Sequence, residues 1–297
     1  MAISRGATST RRRVSGFFNR HPRLKLGFLL GPPMGWMLVV YLGALTILFL
    51  SAFWRQNPLT AEIERIWGLG NFRDLLSNEV YRQIALRTAG IALAVTLADI
   101  VLAFPIAYYA ARIARPRVRT LILLAVVLPL WSSYLARVYA WRVILSGNGV
   151  LNSTLNSLGL GSLDVGYSNW AIWIVFTYLW LPFVALPIYA SLERLPNSYM
   201  EASADLGAKW WTTLRRVVLP IALPGIVAGS IFSFSLTLGD YIVPSLVGNT
   251  FFIGNVVYTS VGVANNIPFA AAYALVPVAI MGVYLAFARR LGAFEAL

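Results

Sequence analysis

The sequence predicts an all-α integral membrane protein with six spanning helices. Of its 297 residues, 59% are hydrophobic and only 12% are charged, a balance typical of proteins that cross a membrane several times. The chain also contains six apolar runs, each near the roughly 20 residues that a helix needs to cross the hydrocarbon core. These runs cover residues 33–53, 88–111, 121–145, 170–192, 217–239 and 268–288.

The basic residues between the runs predict the orientation of the helices. Lys and Arg outnumber Asp and Glu, giving a net charge of +13, and they concentrate in the N-terminal tail, in alternate connections and at the C-terminal end. By the positive-inside rule these segments are cytoplasmic, so both termini lie inside. The opposite connections agree, because 241–267 has no charged residue and 146–169 has only Asp164. Topology and anionic lipid explain the charge, and no nucleic-acid partner is expected.

Two segments of unequal size make up the predicted domain organisation. Residues 1–24 form a basic cytoplasmic tail, and residues 25–297 form one membrane domain without an internal repeat of 20–50 residues. The first apolar run is long enough to span, which favours a retained helix over a cleaved signal peptide. The connection 55–87 mixes charges of both signs and predicts a short helix around 71–76.

The residue types exclude most kinds of catalytic site. The chain has no cysteine, and its single histidine, His21, lies in the basic tail. The phosphate-binding pattern GxxxxGK[ST] is absent, so the chain does not bind and hydrolyse ATP through a P-loop. We therefore expect no enzyme activity, no cofactor and no metal site. If the chain takes part in active transport, another subunit must supply the energy.

One polar segment, Ser198–Pro220, stands between the fourth and fifth apolar runs. Its first residue and Glu201 have the spacing of a capping box that begins a helix, and Gly207 is the residue type that ends one. A second short helix over 208–216 would carry two tryptophans, beginning with Trp210, that contact a partner or brace the loop. The simplest alternative is an amphipathic loop helix without a dedicated partner.

A second candidate site lies near the predicted outer end of the bundle. Tyr134, Arg137 and Trp141 share one face of the third helix, and Asp240 with Tyr241 follows the fifth. One interpretation is an entrance for a cationic solute, in which the carboxylate attracts the cation and aromatic faces add cation–π stabilisation. The preferred interpretation for Arg137 is an ion pair with Asp240 that holds a gate, because charges in membranes usually pair.

Asp99 lies near the middle of the second apolar run. An ionisable side chain at that depth is costly, so it needs a partner or a function. It is either a carboxylate on an ion path or a packing carboxylate that is satisfied at an interface with a partner. The packing role is the preferred interpretation.

The polar segment resembles the EAA loop of ABC-importer permeases. That loop has the pattern E-A-A, three residues, G, nine residues, I-x-L-P. The matching residues, with Ser in place of the second Ala and Val in place of Ile, are Glu201, Ala202, Ser203, Gly207, Val217, Leu219 and Pro220. In the family this loop docks in a groove of the ATPase subunit. Within the segment we expect 201–207 to be a docking helix and 208–216, which carries Trp210, to be a lever. Leu219 and Pro220 would then form the hinge into the fifth span.

Four further stretches resemble the spermidine/putrescine branch of the same permeases. They are residues 71–73, 104–108, 128–141 and 238–244. The resemblance implies a type I, MetI-like permease bundle. It also implies a complex with two copies of a cytoplasmic ABC ATPase, a second homologous permease subunit and a periplasmic solute-binding protein.

Together these observations predict a permease subunit in the bacterial inner membrane that moves a polyamine-like cation inward by alternating access. Two alternatives remain open. The first is an ion-driven secondary carrier without an ATPase, in which Asp99 is the coupling carboxylate. The second is the same permease role with a different solute, such as an opine.

Overall fold

The computed structural model describes residues 22–57 and 59–290, so most of the predicted basic tail lies outside the described residues. The described chain is almost entirely helical. In chain order its helices are α1 (Pro22–Trp36), α2 (Gly43–Ser51), α3 (Gly70–Ser77), α4 (Glu79–Tyr108), α5 (Pro116–Val127), α6 (Tyr134–Leu145), α7 (Val150–Ser157), α8 (Asn169–Glu193), α9 (Asn197–Asp205), α10 (Trp210–Thr213), α11 (Leu219–Gly239), α12 (Ile242–Val247), α13 (Ile253–Gly262) and α14 (Ile267–Arg290).

Short π-helical and 3₁₀ turns join several of these helices into longer ones. The π turns are Met37–Leu42, Tyr109–Ile113 and Leu214–Val218, and the 3₁₀ turn is Leu128–Trp131. Five continuous helices in the described chain are long and apolar enough to cross a membrane, and a bent pair makes up a sixth span. The prediction of six spans is confirmed. The five single ones cover Leu26–Ser51, Glu79–Ile113, Asn169–Glu193, Trp210–Gly239 and Ile267–Arg290.

The third span is broken, which the sequence prediction of one helix over 121–145 had wrong. Pro116–Trp131 and Tyr134–Ser157 meet at an angle of 99°. The break falls at Ser132 and Ser133, which both have extended backbone conformations. Pro129 lies in the 3₁₀ turn just before the break, where its missing N–H removes one helical hydrogen bond. The span therefore changes direction at the residue before Tyr134.

The first span begins earlier than predicted and packs mainly through its last third. Its helix already runs through Pro32 and Pro33, and α2 packs against α14. In the following connection α3 confirms the predicted short helix, whereas the two-residue antiparallel strands Arg55–Gln56 and Ile63–Glu64 were not predicted. The Asn71 side-chain amide donates to the carbonyls of Ala52 and Trp54, each at 2.8 Å, and so ties α3 to the end of the first span.

Three helices, α4, α8 and α11, form the centre of the bundle. Gly225 and Gly229 of α11 lie four residues apart and face α8. A Cβ at Gly225 would lie 2.4 Å from the carbonyl oxygen of Pro187, and one at Gly229 would lie 2.8 Å from the Cα of Val184. Small residues at this spacing let two membrane helices approach closely, which replaces the hydrophobic driving force that lipid does not supply.

Two large clusters of buried side chains fill the two halves of this bundle. One is built around Phe176, Leu179 and Val243, and the other around Ile188, Leu192 and Val218. The second half ends at the loop between α8 and α11. The basic connection after the second span reaches that same end, because Arg112 donates to the carbonyl of Leu195. Connections that the charge pattern assigned to one side thus meet at one end of the bundle.

Candidate functional site

The coupling loop, Ser198–Pro220, begins in α9 and turns at Gly207. The φ angle of Gly207 is +71°, a conformation that costs an L-residue with a side chain roughly 1–2 kcal/mol. The N–H of Gly207 donates to the carbonyl of Ala204 at 2.8 Å, and that of Ala208 to Ser203 at 3.0 Å. This pair of bonds is a Schellman ending, so the predicted role of Gly207 as a helix terminator is confirmed.

The predicted capping box is wrong. The helix begins one residue earlier, at Asn197, with Pro196 as its N-cap and no side-chain cap hydrogen bond. Glu201 is exposed. Because a proline cannot accept a bond through its side chain, the start of α9 is not fixed by its own sequence.

The second helix of the coupling loop is continuous with the fifth span. Helix α10 passes through the π turn Leu214–Val218 into α11, so the predicted boundary at 216–217 is wrong, and Leu219 and Pro220 lie within one helix of 30 residues, Trp210–Gly239. Pro220 lies just after the π turn, so the N–H that it lacks is missing inside the continuous helix. The buried hydroxyls of Ser203 and Thr213 share a hydrogen bond of 2.7 Å, which joins α9 to this helix.

Apolar side chains are exposed on the surface of the coupling loop. Leu206 is 87% exposed, and Trp210 and Trp211 are 60% and 65% exposed. The ring of Trp210 meets Tyr108 edge-on at 6.4 Å, so it also braces the loop against the second span. A groove of about 660 Å³ runs beside α9, and Ala202 is among its lining residues. Exposed large apolar residues around a groove are typical of a protein contact surface.

At the other end of the fifth span, the Asp240 carboxylate is held inside the protein. It accepts hydrogen bonds from the hydroxyl of Tyr134 and from the N–H of Val243, the latter at 2.9 Å. Tyr134 is the first residue after the break in the third span, and its ring stacks on Trp180 with centroids 6.1 Å apart. The break therefore places Tyr134 where it can hold Asp240.

The ion pair that the sequence interpretation preferred, between Arg137 and Asp240, is not present among the described residues. The carboxylate binds Tyr134 instead, and the Arg137 Nε is buried without a hydrogen-bond partner. Trp141, on the same face of α6, packs against Tyr178 with ring centroids 5.3 Å apart. Of the predicted outer residues, the structure thus joins Tyr134 to Asp240 and places Trp141 elsewhere.

Tyr241 faces a different neighbour from Asp240. Its ring stacks on Tyr258 of α13, with centroids 4.5 Å apart and planes inclined by 10°. The two tyrosines line a cavity of about 390 Å³ between α11, α13 and α14. The side-chain amide of Asn255 donates to the carbonyl of Tyr241 at 3.0 Å and fixes this turn.

Asp99 lies apart from both regions, fully buried between the second and fifth spans. Its Oδ2 accepts a hydrogen bond of 2.6 Å from Ser233, while its Oδ1 has no partner. Thr96, one turn away, contacts the same serine. In this conformation the carboxyl lies in a closed packing contact.

Sequence reasoning missed three residues that organise these regions, namely Trp180, Ser233 and Arg112. Trp180 and Ser233 carry no signal in an apolar run, because aromatic and small hydroxyl residues are common in membrane helices. Arg112 was counted only as a topology signal. Among the described residues, no group of three or more His, Cys, Asp or Glu side chains could hold a metal ion.

Comparison with known proteins assigns the class of this fold. Residues 90–293 match the family described as binding-protein-dependent transport system inner membrane component, and the chain belongs to that family. It is 46% identical to the inner membrane ABC transporter permease protein YdcU of Escherichia coli K12, over 96% of this chain and 95% of that protein. It is 32% identical to the spermidine/putrescine transport system permease protein PotB of the same strain, over 85% and 92% of the two chains.

Solved structures show the same fold at low sequence identity. A bacterial alginate ABC transporter in complex with an alginate pentasaccharide-bound periplasmic protein gives a TM-score of 0.71 at 18% identity, covering 92% of this chain and 96% of that one. A bacterial ABC transporter that imports the acidic polysaccharide alginate gives a TM-score of 0.67 at 19% identity, covering 94% and 99%. The protein is therefore an ABC-importer permease subunit that spans the inner membrane several times and is not itself an enzyme.

Proposed function

We propose that this permease imports a polyamine-like cation, driven by ATP hydrolysis in a partner ATPase that docks on the coupling loop. The exposed groove and tryptophans of that loop carry the proposal, because they offer an apolar contact surface on a helix continuous with the fifth span. The expected complex contains two ATPase subunits, a second homologous permease and a periplasmic solute-binding protein. In this topology both termini and the coupling loop are cytoplasmic.

The contacts of Asp240 support a gate at the opposite end of that helix. While Tyr134 donates to it, the carboxylate is not available to a solute. Separation of the third span from the fifth would expose the charge and the Tyr134 ring together. A carboxylate beside an aromatic face suits an organic ammonium ion, through charge attraction and cation–π stabilisation.

A polyamine-like solute is favoured by the PotB relative, which is named as a spermidine/putrescine permease. An opine or another amino compound would use the same chemistry at the gate, because it also carries an ammonium group. No contact of Asp99 favours the alternative of an ion-driven carrier, since the carboxyl is closed off between two spans.

The docking surface can be tested by placing a charge on each of two exposed alanines of α9. Ala202 lines the groove, whereas Ala204 is exposed on the same helix away from it. In proteoliposomes that contain the whole transporter, we expect Ala202→Glu to lower ATP-dependent putrescine uptake by about tenfold or more, because a charge buried in an apolar contact is strongly unfavourable. Ala204→Glu should transport normally.

The same preparation tests the solute and the energy source. Uptake of labelled putrescine should require ATP inside the vesicles and the solute-binding protein outside. Uptake driven by a proton gradient in vesicles without the ATPase would support the secondary carrier instead. Normal uptake by Ala202→Glu would remove the docking role from this face, and competition by opines but not by putrescine would change the solute.

A further inference from the structure

Arg112 joins the end of the second span to a segment more than 80 residues further along the chain, just before the coupling loop. It lies in the π turn at the end of the second span. Its Nη1 donates to the carbonyl of Leu195 at 2.8 Å, and its Nη2 donates to the Oδ1 of Asn197 at 2.6 Å. The two acceptors stand on either side of Pro196, in the short link between the fourth span and α9.

The link itself offers little to fix the direction in which α9 leaves the fourth span. Pro196 has no N–H, and α9 begins without a side-chain cap of its own. A guanidinium presents donors in a rigid fork, so it can hold two acceptors at a fixed separation. By bonding to both acceptors, Arg112 at the end of the second span fixes the direction of α9, which the link alone does not fix.

Helix stabilisation alone does not account for this contact. A cation is favourable at the C-terminal end of the fourth span but unfavourable at the N-terminus of α9, because the two helix dipoles oppose each other there. Leu195, whose carbonyl accepts from Arg112, is only 3% exposed and lies in the buried cluster around Ile188 and Leu192. The arginine therefore anchors the start of an exposed helix to a fixed point in the core.

A second arginine of the same connection strengthens the anchor. Arg119 forms an ion pair with Glu193, the last residue of the fourth span, and its guanidinium lies 5.1 Å from the centre of the Tyr189 ring. The two arginines thus hold the end of the fourth span, and of the two, Arg112 also bonds to α9.

We propose that Arg112 is a positioning residue for coupling, whose guanidinium fixes the angle of α9 against the second and fourth spans. The role rests on the proposed docking of an ATPase on the coupling loop. When the ATPase moves α9, the force passes through Arg112 into the second span as well as through Gly207 into the fifth. Without this anchor α9 turns at Pro196, and ATPase movement is lost before it reaches the spans.

The test compares two arginines of one connection, each changed to lysine. Lysine keeps the positive charge, and with it the topology signal, but cannot reproduce the forked pair of bonds. Arg117 is exposed, with no polar partner recorded among the described residues, so Arg117→Lys is the matched control. Uptake, ATP hydrolysis and the amount of assembled transporter are measured in the same proteoliposomes.

We expect Arg112→Lys to assemble in normal amounts and to lower the ratio of solute imported to ATP hydrolysed about tenfold, the size expected for lost hydrogen bonds to a charged donor. Arg117→Lys should leave the ratio unchanged. Asn197→Ala should have a smaller effect of the same kind. The double variant Arg112→Lys/Asn197→Ala should match Arg112→Lys alone, because the two residues share one interaction.

Two results would overturn the proposal. One is an unchanged ratio in Arg112→Lys, and the other is less assembled transporter at an unchanged ratio, which assigns Arg112 a purely structural role. Ala202→Glu separates this failure from failure of the proposed function. If Ala202→Glu loses uptake and Arg112→Lys does not, docking stands and the arginine anchor fails; if Ala202→Glu transports normally, the docking proposal itself fails.

Discussion

The two ends of the fifth span are built in opposite ways. At the coupling loop, large apolar side chains such as Leu206 and Trp211 are exposed. The backbone just before the loop is held by a hydrogen bond from Arg112. At the Asp240 end, the carboxylate accepts hydrogen bonds from groups of the protein, and the ring of Trp180 stacks on Tyr134, which donates one of them. One end thus exposes apolar side chains, as the proposed docking surface requires, and the other keeps its carboxylate covered.

This difference indicates what kind of change each end undergoes. A docking surface keeps its shape while its partner moves, so it needs a firm backbone and free side chains. A gate must exchange one set of partners for another, so its hydrogen bonds join segments that can separate. Tyr134 and Asp240 are 106 positions apart and lie on different spans. Ser203 and Thr213, in contrast, close a local contact within ten residues.

The largest effect is expected from Gly207→Pro, which disrupts the backbone turn of the coupling loop. Gly207→Pro removes the N–H that bonds to Ala204 and requires a negative φ where the glycine has +71°. Because such a misplaced proline costs ~3 kcal/mol or more, we expect uptake to fall below roughly one tenth. Membrane insertion should remain, as measured by the amount of chain in the membrane fraction. Uptake at the normal rate would show that the turn is not needed for coupling.

A second change acts between the two ends, where the fifth span approaches α8. The Cβ of Gly229→Ala would lie 2.8 Å from the Cα of Val184, and such overpacking typically costs ~1–3 kcal/mol. Gly90→Ala is the control, because Gly90 lies in α4 with nothing within 4 Å of a new Cβ. Thermal unfolding of the purified chain should shift down for Gly229→Ala and slightly up for Gly90→Ala. Equal shifts would argue against a close approach at Gly229.

At the Asp240 end, the comparison is between two aspartates. Asp240→Asn weakens the bonds from Tyr134 and Val243 and removes the charge at the gate, whereas Asp99→Asn alters a closed packing contact. We expect Asp240→Asn to slow uptake by about tenfold, because an ammonium solute at the open gate loses a charge-assisted hydrogen bond of ~1.5–3 kcal/mol. Asp99→Asn should slow it less. If the order is reversed, the ion-path role of Asp99 is favoured over the gate.

The smallest expected effect is at the local contact of the coupling loop. Ser203→Ala leaves the Thr213 hydroxyl without its buried partner and should cost ~1–2 kcal/mol of stability, with uptake reduced less than threefold. The double variant Ser203→Ala/Thr213→Val should recover stability, because it leaves no unpaired group. Denaturation of both variants checks this order. If the double variant is less stable than Ser203→Ala, the two hydroxyls do more than satisfy each other's hydrogen bond.

Much of the fold was predictable because lipid imposes one dominant rule, that an apolar run near 20 residues is a spanning helix. Gly207 was predictable for a similar reason, since few residues other than glycine adopt its φ. The break at Ser132 and Ser133 was not predictable, because the apolar run continues on both sides of it and tertiary packing decides the bend.

The contacts between spans were the part that sequence reasoning had wrong. Depth in the membrane can be estimated from position in a run, and it placed Arg137 and Asp240 at a similar level. Depth does not give the direction in which a side chain points around its helix. In the structure, Tyr134 at the start of α6 bonds to Asp240, whereas Arg137, one turn further along, does not. Arg112 escaped notice for the same reason, because a charge count does not show which carbonyl a guanidinium faces.

The unbroken helix Trp210–Gly239 has one further consequence, which concerns mechanical advantage. Its tightest contact with α8 ends at Gly229, which lies about 29 Å from Trp210 and about 15 Å from Gly239 at 1.5 Å per residue. A tilt about that fulcrum has arms in a ratio of about two to one. In the proposed mechanism, a displacement at the coupling loop would therefore reach Asp240 at about half its length and about twice its force. Such a ratio suits a stroke that must separate the hydrogen bond between Tyr134 and Asp240.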